Sequence, residues 1–336
     1  MERPRRLGDV LRGAVCVAAL TAAGIAGCGG GGGGSPAATA SSTPATFSSL
    51  AEAAGSGFSE PGGLAVSHDG HRLYFSARRQ PDDAAGIYVV DLTTQQVSQL
   101  YGGGPLVEPS AIAVTPDDRT LLIADLAADT GGQLSGTVFS LPASGASGPT
   151  PVLPPDAIDM PGGLALDRTG ARVFVSGYTA DGVPAIFSMS PDGGKLAVLT
   201  QGAPLTDPGT LAIAPDQQSL VLIDNGAASD GGATLFRLTV DKPAFQTLAT
   251  GLAVGYPAGL SSDSFGTEVY ITGQSPTTGR PAVLGVSTAD GHAVRTLYAG
   301  GPDMQPGGLA QSPLTAAVLY VADADPTSGG IATIYK

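Results

Sequence analysis

The sequence predicts an all-β fold, a six-bladed β-propeller of four-stranded blades. Three observations lead there. A proline followed by two small residues and an apolar one recurs six times, as PGGLAV from Pro61, PSAIAV from Pro109, PGGLAL from Pro161, PGTLAI from Pro208, PAGLSS from Pro257 and PGGLAQ from Pro306. Behind each copy stand further short apolar runs bounded by Gly, Pro, Asp and Ser, the signature of strands. The 336 residues include 50 Gly and 27 Pro but are 42% hydrophobic and only 13% charged. A disordered chain would be poor in apolar residues and rich in charge, so the glycine marks turns between many short elements.

The elements of each unit follow in order. The proline motif opens the innermost strand, where small residues let neighbouring backbones approach closely. After a polar turn come 73–76 (LYFS), 121–124 (LLIA), 173–176 (VFVS), 220–223 (LVLI), 269–272 (VYIT) and 319–322 (LYVA). Third strands are expected at 87–90, 138–141, 186–189, 235–238, 283–286 and 331–335. Runs this apolar suit strands covered on both faces. A fourth, more polar run at 97–100, 196–199, 245–248 and 294–297 fits an outer strand facing solvent, and in the second unit only Pro151-Val152-Leu153 is available. The sixth unit lacks its fourth run. Phe47-Ser48-Ser49-Leu50 carries the same spacing ahead of the first motif, so the N-terminal strand is expected to complete the last blade and cover an open edge. A β-helix would need shorter coils, and a helical solenoid would need amphipathic helices, which the pattern lacks. The propeller is thus assigned to 46–336.

The first 27 residues read as a leader. Arg3, Arg5 and Arg6 precede an apolar stretch at 13–27, too short for a span of about 20 residues and suited to a signal-peptide core. It ends Ile25-Ala26-Gly27-Cys28, which resembles the lipobox of bacterial lipoproteins. That resemblance implies cleavage before Cys28, a lipid on Cys28 and a membrane as partner. Residues 28–45, with Gly29 to Gly34 and then Ser, Pro, Ala and Thr, form a tether. Cys16 is the only other cysteine and falls in the leader, so the mature chain has no disulfide to form. The expected address is the cell envelope, on the outer membrane facing the periplasm or on the cell surface.

A second rhythm spans two units. The residue closing the second strand is Ala77, Asp125, Gly177, Asp224, Gly273 and Asp323 in turn, so Asp alternates with Ala or Gly. In propeller geometry the loops entering first strands and leaving second strands share one mouth of the channel. Glu60, Glu108, Asp159 and Asp207 are expected there with Asp125, Asp224 and Asp323, and Asp129, Asp181, Asp230 and Asp325 further out. A mouth of one sign attracts a divalent cation, an amine or a basic peptide, and hard oxygen ligands suit Ca²⁺ or Mg²⁺, although no cofactor is specified. An Asp locked to a repeat position also serves as a turn cap that accepts backbone N–H bonds, and this reading is favoured for Asp125, Asp224 and Asp323. Asp323 to Gly329 echoes the start of a calcium loop, but Ile334 stands where its last ligand belongs. His68 and His71 flank a turn and do not complete a metal site. The formal net charge of −13 argues against nucleic acid as a partner.

LLIAD, LVLID and LYVAD behind the proline motif resemble NHL-repeat propellers and the related gluconolactonase-like and streptogramin-lyase-like families. His68-Asp69-Gly70 before LYFSA is similar to the turn of TolB-like propellers. These families include binders and enzymes. The chain departs from NHL repeats in placing Leu126-Ala127-Ala128 after Asp125, where a polar stretch with Arg is usual. A gluconolactonase-like site implies a Glu early in the first blade, a role open to Glu60, together with Asn and Asp ligands. Asn occurs once, at Asn225. No nucleophile-elbow, zinc-protease or P-loop motif is present. The expected function is a non-catalytic, membrane-tethered module that binds a protein, peptide or small molecule at the acidic mouth. The alternative is a metal-dependent lactonase-like or lyase-like enzyme at the same place.

Overall fold

A computed structural model describes residues 46–335, apart from 53–56, 130, 133–134, 230, 256–257, 290 and 326–329. The leader, the tether, Cys28, Asp230 and the end of the calcium-loop echo lie outside the described residues. Thr43–Lys336 form one compact unit. Its described residues contain strands and turns and no helix.

Six antiparallel sheets of four strands, each ordered from the channel outward, form the predicted propeller. Blade 2, for example, runs Pro109–Val114, Thr120–Asp125, Thr137–Pro142 and Thr150–Pro151. Its last strand has two residues, which fits the weak signal at that place in the sequence. Blade 1 departs from the simple pattern, because its inner strand is split into Phe58–Ser59 and Leu64–Val66, both paired to Arg72–Arg79. Glu60 sits in the interruption with φ +50°, a left-handed conformation that breaks a ladder.

The ring closes as the sequence predicts. Thr46–Glu52 pairs with Gly330–Tyr335, with Phe47 opposite Ile334 and Glu52 opposite Gly330, and becomes the outer strand of blade 6. The innermost strands of successive blades contact one another all the way round, blade 6 against blade 1 included.

The core lies between blades, since each sheet is apolar on both faces. One cluster joins Tyr74 and Ile87 of blade 1 to Ile112, Leu121, Ile123 and Phe139 of blade 2. The closing seam, between blades 6 and 1, is filled by aromatic rings. Phe58 packs edge-on to Phe75 with centroids 4.9 Å apart, and Tyr88 stacks on Phe75 at 5.4 Å, against Tyr320 and Ile331 of blade 6. Such pairs add about 0.5–1.5 kcal/mol beyond area burial.

Glycine in the inner strands has a steric reason. A Cβ on Gly163 would lie 2.6 Å from the Gly209 carbonyl oxygen of blade 4, and one on Gly308 2.1 Å from that of Gly62 in blade 1. Backbones around the channel therefore touch directly.

Candidate functional site

Strand directions divide the loops into two faces. The first-to-second and third-to-fourth turns lie on one, here called the lower face. The second-to-third loops and the blade-to-blade connections lie on the upper face.

On the upper face, two of the three repeat-locked aspartates are fully buried and hold the loop that enters their own blade. The Asp125 carboxylate accepts the backbone N–H groups of Val107, Glu108 and Ala127 at 2.9, 2.9 and 3.1 Å. Asp224 does the same with Thr206, Asp207 and Gly226 at 2.8, 3.1 and 3.2 Å. Both have no exposed surface. Asp323 is part-exposed and accepts from Gln305 and Asp325 at 2.8 and 3.1 Å. Burial pushes the Asp125 and Asp224 carboxyls above the usual carboxylate range, against the pull of those N–H donors.

The alternation with small residues now has a cause. In blades 3 and 5 the entry loop packs directly on the backbone at this position. A Cβ on Gly177 would meet the Asp159 carbonyl oxygen at 2.8 Å, and one on Gly273 that of Ala253 at 2.4 Å. Odd blades instead use a hydroxyl one residue earlier. The buried Ser76, Ser176 and Thr272 side chains accept from the backbone N–H of Gly63, Gly163 and Gly259 at 3.0, 2.8 and 2.6 Å. Ser176 and Thr272 also donate across the seam, to the carbonyls of Gly209 and Gly307 in the next blade. Even blades carry Ala124, Ile223 and Ala322 there. The signal was in the sequence as S, A, S, I, T, A closing the six second-strand runs.

The other acidic candidates are distributed around the rim. Glu108 is half-buried, and burial raises its carboxyl, with Arg78 pulling it back and Asp125 adding to the rise. Arg78 reaches across from blade 1 and donates to the Val107 carbonyl at 3.0 Å. The Tyr178 hydroxyl donates to the Asp207 carboxylate at 2.7 Å, again from an odd blade to the next entry loop. Arg78 and Tyr178 each directly follow the small residue that ends the second-strand motif, a position the sequence reading passed over. Glu60, Asp159 and Asp181 are exposed, Asp325 is buried, and Asp129 caps the turn at Gly131 and Gly132. The structure thus brings Glu108 to Asp125 and Asp207 to Asp224, each pair within one blade. Among the described residues no group of three His, Cys, Asp or Glu side chains is arranged to hold a metal ion.

The channel itself is a cavity of about 380 Å³ lined by the inner strands of all six blades, with Gly63, Ser110, Ala165, Thr210, Ser261 and Gln311 among its walls. His68 and Pro313 place its opening toward the lower face. His68 is the one titratable residue among the described lining, and none of the acidic candidates lines it.

The faces differ in charge. Among described residues the upper face sets fifteen carboxylates against Arg78, Arg79 and Arg280, or 3 − 15 = −12. The lower face sets ten carboxylates against eight Arg and Lys residues, or 8 − 10 = −2.

No protein-family model matches the sequence, and no curated protein matches it. Solved structures share its fold. A gluconolactonase from Xanthomonas campestris superposes with a TM-score of 0.64 at 13% identity, over 87% of this chain and 89% of that one. The calcium-binding protein regucalcin from Agrobacterium tumefaciens gives 0.58 at 14%, over 86% and 93%. A structure from Agrobacterium tumefaciens described as TolB gives 0.53 at 16%, over 83% and 91%. At these identities the likeness is one of fold, and it places the chain among six-bladed propellers that include both enzymes and TolB-type proteins.

Proposed function

We propose that the chain is a lipid-anchored β-propeller of the cell envelope whose upper face binds a cationic partner, a basic peptide or protein segment, without catalysis. The observation that carries this reading is that twelve of the fifteen upper-face carboxylates, all but the buried Asp125, Asp224 and Asp325, reach solvent on one face of a propeller whose channel walls carry no carboxylate. A surface of one sign focuses the field and steers an oppositely charged partner. Of the carboxylates with raised proton affinity, Asp125 and Asp224 are committed to backbone N–H groups. The resemblance of Ile25-Ala26-Gly27-Cys28 to a lipobox supports the anchor, and the TolB-type likeness is consistent with an envelope address. The gluconolactonase likeness keeps an enzyme as the competing reading.

Titration of the mature chain with a lysine-rich peptide at two salt concentrations tests the proposal. Binding that weakens with salt, and again in Glu60→Gln with Asp181→Asn, supports it. Lactone hydrolysis that depends on added Ca²⁺ or Zn²⁺, with a raised melting temperature in that metal, overturns it in favour of the enzyme.

A further inference from the structure

The lower face carries three features that converge. First, the chain enters the propeller there. Thr46, the first described residue of the closing strand, lies opposite Tyr335, at the end of the outer strand that meets the third-to-fourth turns. Second, the two most exposed large apolar side chains of the described residues project from adjacent turns on it. Phe265 of blade 5 is 77% exposed and Leu314 of blade 6 is 66% exposed. Third, this face is nearly neutral while the opposite one is strongly acidic, and several of its carboxylates are held by their own turns. Asp91 accepts from Thr93 and Thr94, and Asp263 from Thr267 and Glu268. Arginines and lysines such as Arg119, Arg168, Lys195 and Lys242 stand exposed around it.

We infer that the lower face docks on the lipid surface, with Phe265 and Leu314 entering the headgroup region and the acidic upper face turned away. An anionic bilayer repels the upper face and tolerates the lower one, and exposed Arg and Lys near such a surface add attraction. Two apolar side chains add too little to anchor a protein alone, but a covalent lipid supplies the second signal that stable attachment needs. Eighteen residues, 28–45, separate Cys28 from the first strand, a chain length that leaves the face within reach of the surface to which a lipid on Cys28 would hold it. The cationic partner then meets the propeller from the side away from the membrane. This inference rests on the anchor at Cys28 only for how the protein reaches the bilayer.

The test uses the mature protein in vesicles of phosphatidylethanolamine and phosphatidylglycerol. An environment-sensitive fluorophore is placed at Ser264→Cys on the lower face or at Asp181→Cys on the upper face. Quenching by lipid-borne spin labels is expected several-fold stronger at 264 than at 181. Adding Phe265→Ser and Leu314→Ser should bring the two sites to the same level while the protein stays vesicle-bound. Equal quenching at both sites, stronger quenching at 181, or indifference to the double variant overturns the inference. Palmitate labelling of Cys28 is measured separately. The fluorescence comparison is repeated with a histidine tag in place of residues 1–28 on nickel-chelating lipid, so a missing lipid on Cys28 and a face that does not dock give different results.

Discussion

Thr272 donates its hydroxyl hydrogen to the carbonyl oxygen of Gly307 at 2.8 Å, a bond that crosses from blade 5 to blade 6. The Thr272 hydroxyl oxygen in turn accepts the Gly259 N–H of its own blade at 2.6 Å. A single buried hydroxyl therefore fixes both the inner strand of one blade and its distance to the next.

Thr272→Val keeps the shape and removes both bonds. Two backbone groups are left without partners in a dry seam, which costs about 1–3 kcal/mol each where water cannot replace them. Thr272→Ser should retain most of the stability. Urea unfolding of the two variants beside the wild type checks this, and Ser176→Ala should behave like Thr272→Val.

Asp125→Ala is expected to cost more than Asp323→Ala. Asp125 is fully buried and satisfies three N–H groups, whereas Asp323 is part-exposed and water can replace its bonds. A loss of about 3 kcal/mol or more for Asp125, against about 1 kcal/mol for Asp323, follows from the cost of unsatisfied buried donors. Equal midpoint shifts in denaturant would contradict it.

Gly308→Ala should open the ring. The added Cβ meets backbone at 2.1 Å, which no side-chain rotation relieves. The expected penalty is about 2 kcal/mol or more. At Gly279, with φ +65° and open space around it, only left-handed backbone strain of about 1–2 kcal/mol is expected. The contrast separates crowding from conformation.

The pH dependence has a definite sign. Asp125, Asp224 and Glu108 have carboxyls raised by burial. A raised acid binds its proton more tightly in the folded state, so it contributes stability below its unfolded value of about 4 and loses it as pH rises through the folded value. Stability should thus increase on acidification from neutrality. Below about pH 4 the trend reverses. Asp69, Asp91, Asp117 and Asp192 are held below the usual range by Ser67, by Thr94 and Thr93, by Thr115 and by Ser190, and their contributions vanish as they protonate. Denaturant midpoints from pH 7 to pH 3 should pass through a maximum, and the rise should be smaller in Asp125→Asn.

Much of this was legible in the sequence because the governing rules are local. Four-residue apolar runs, turn glycines and the recurring proline fix strands and their order, and Phe47-Ser48-Ser49-Leu50 announced the closing strand. The role of Asp125 was less legible. Its partners Val107 and Glu108 lie 18 and 17 residues away, in a loop whose path is set by tertiary structure. The split at Glu60 follows a left-handed residue ahead of Pro-Gly-Gly, and Met160 ahead of Pro161-Gly162-Gly163 shares that conformation without splitting its strand, so the motif alone did not announce the interruption. The seam hydroxyls were visible as letters, but their meaning required knowing that Gly209 and Gly307 belong to the adjacent blade.

The strand that seals the ring is also the one through which any load enters. Tension applied at Thr46 along the axis of Thr46–Glu52 pulls the ladder to Gly330–Tyr335 in shear, so its bonds resist together. A pull perpendicular to that strand would part them one at a time.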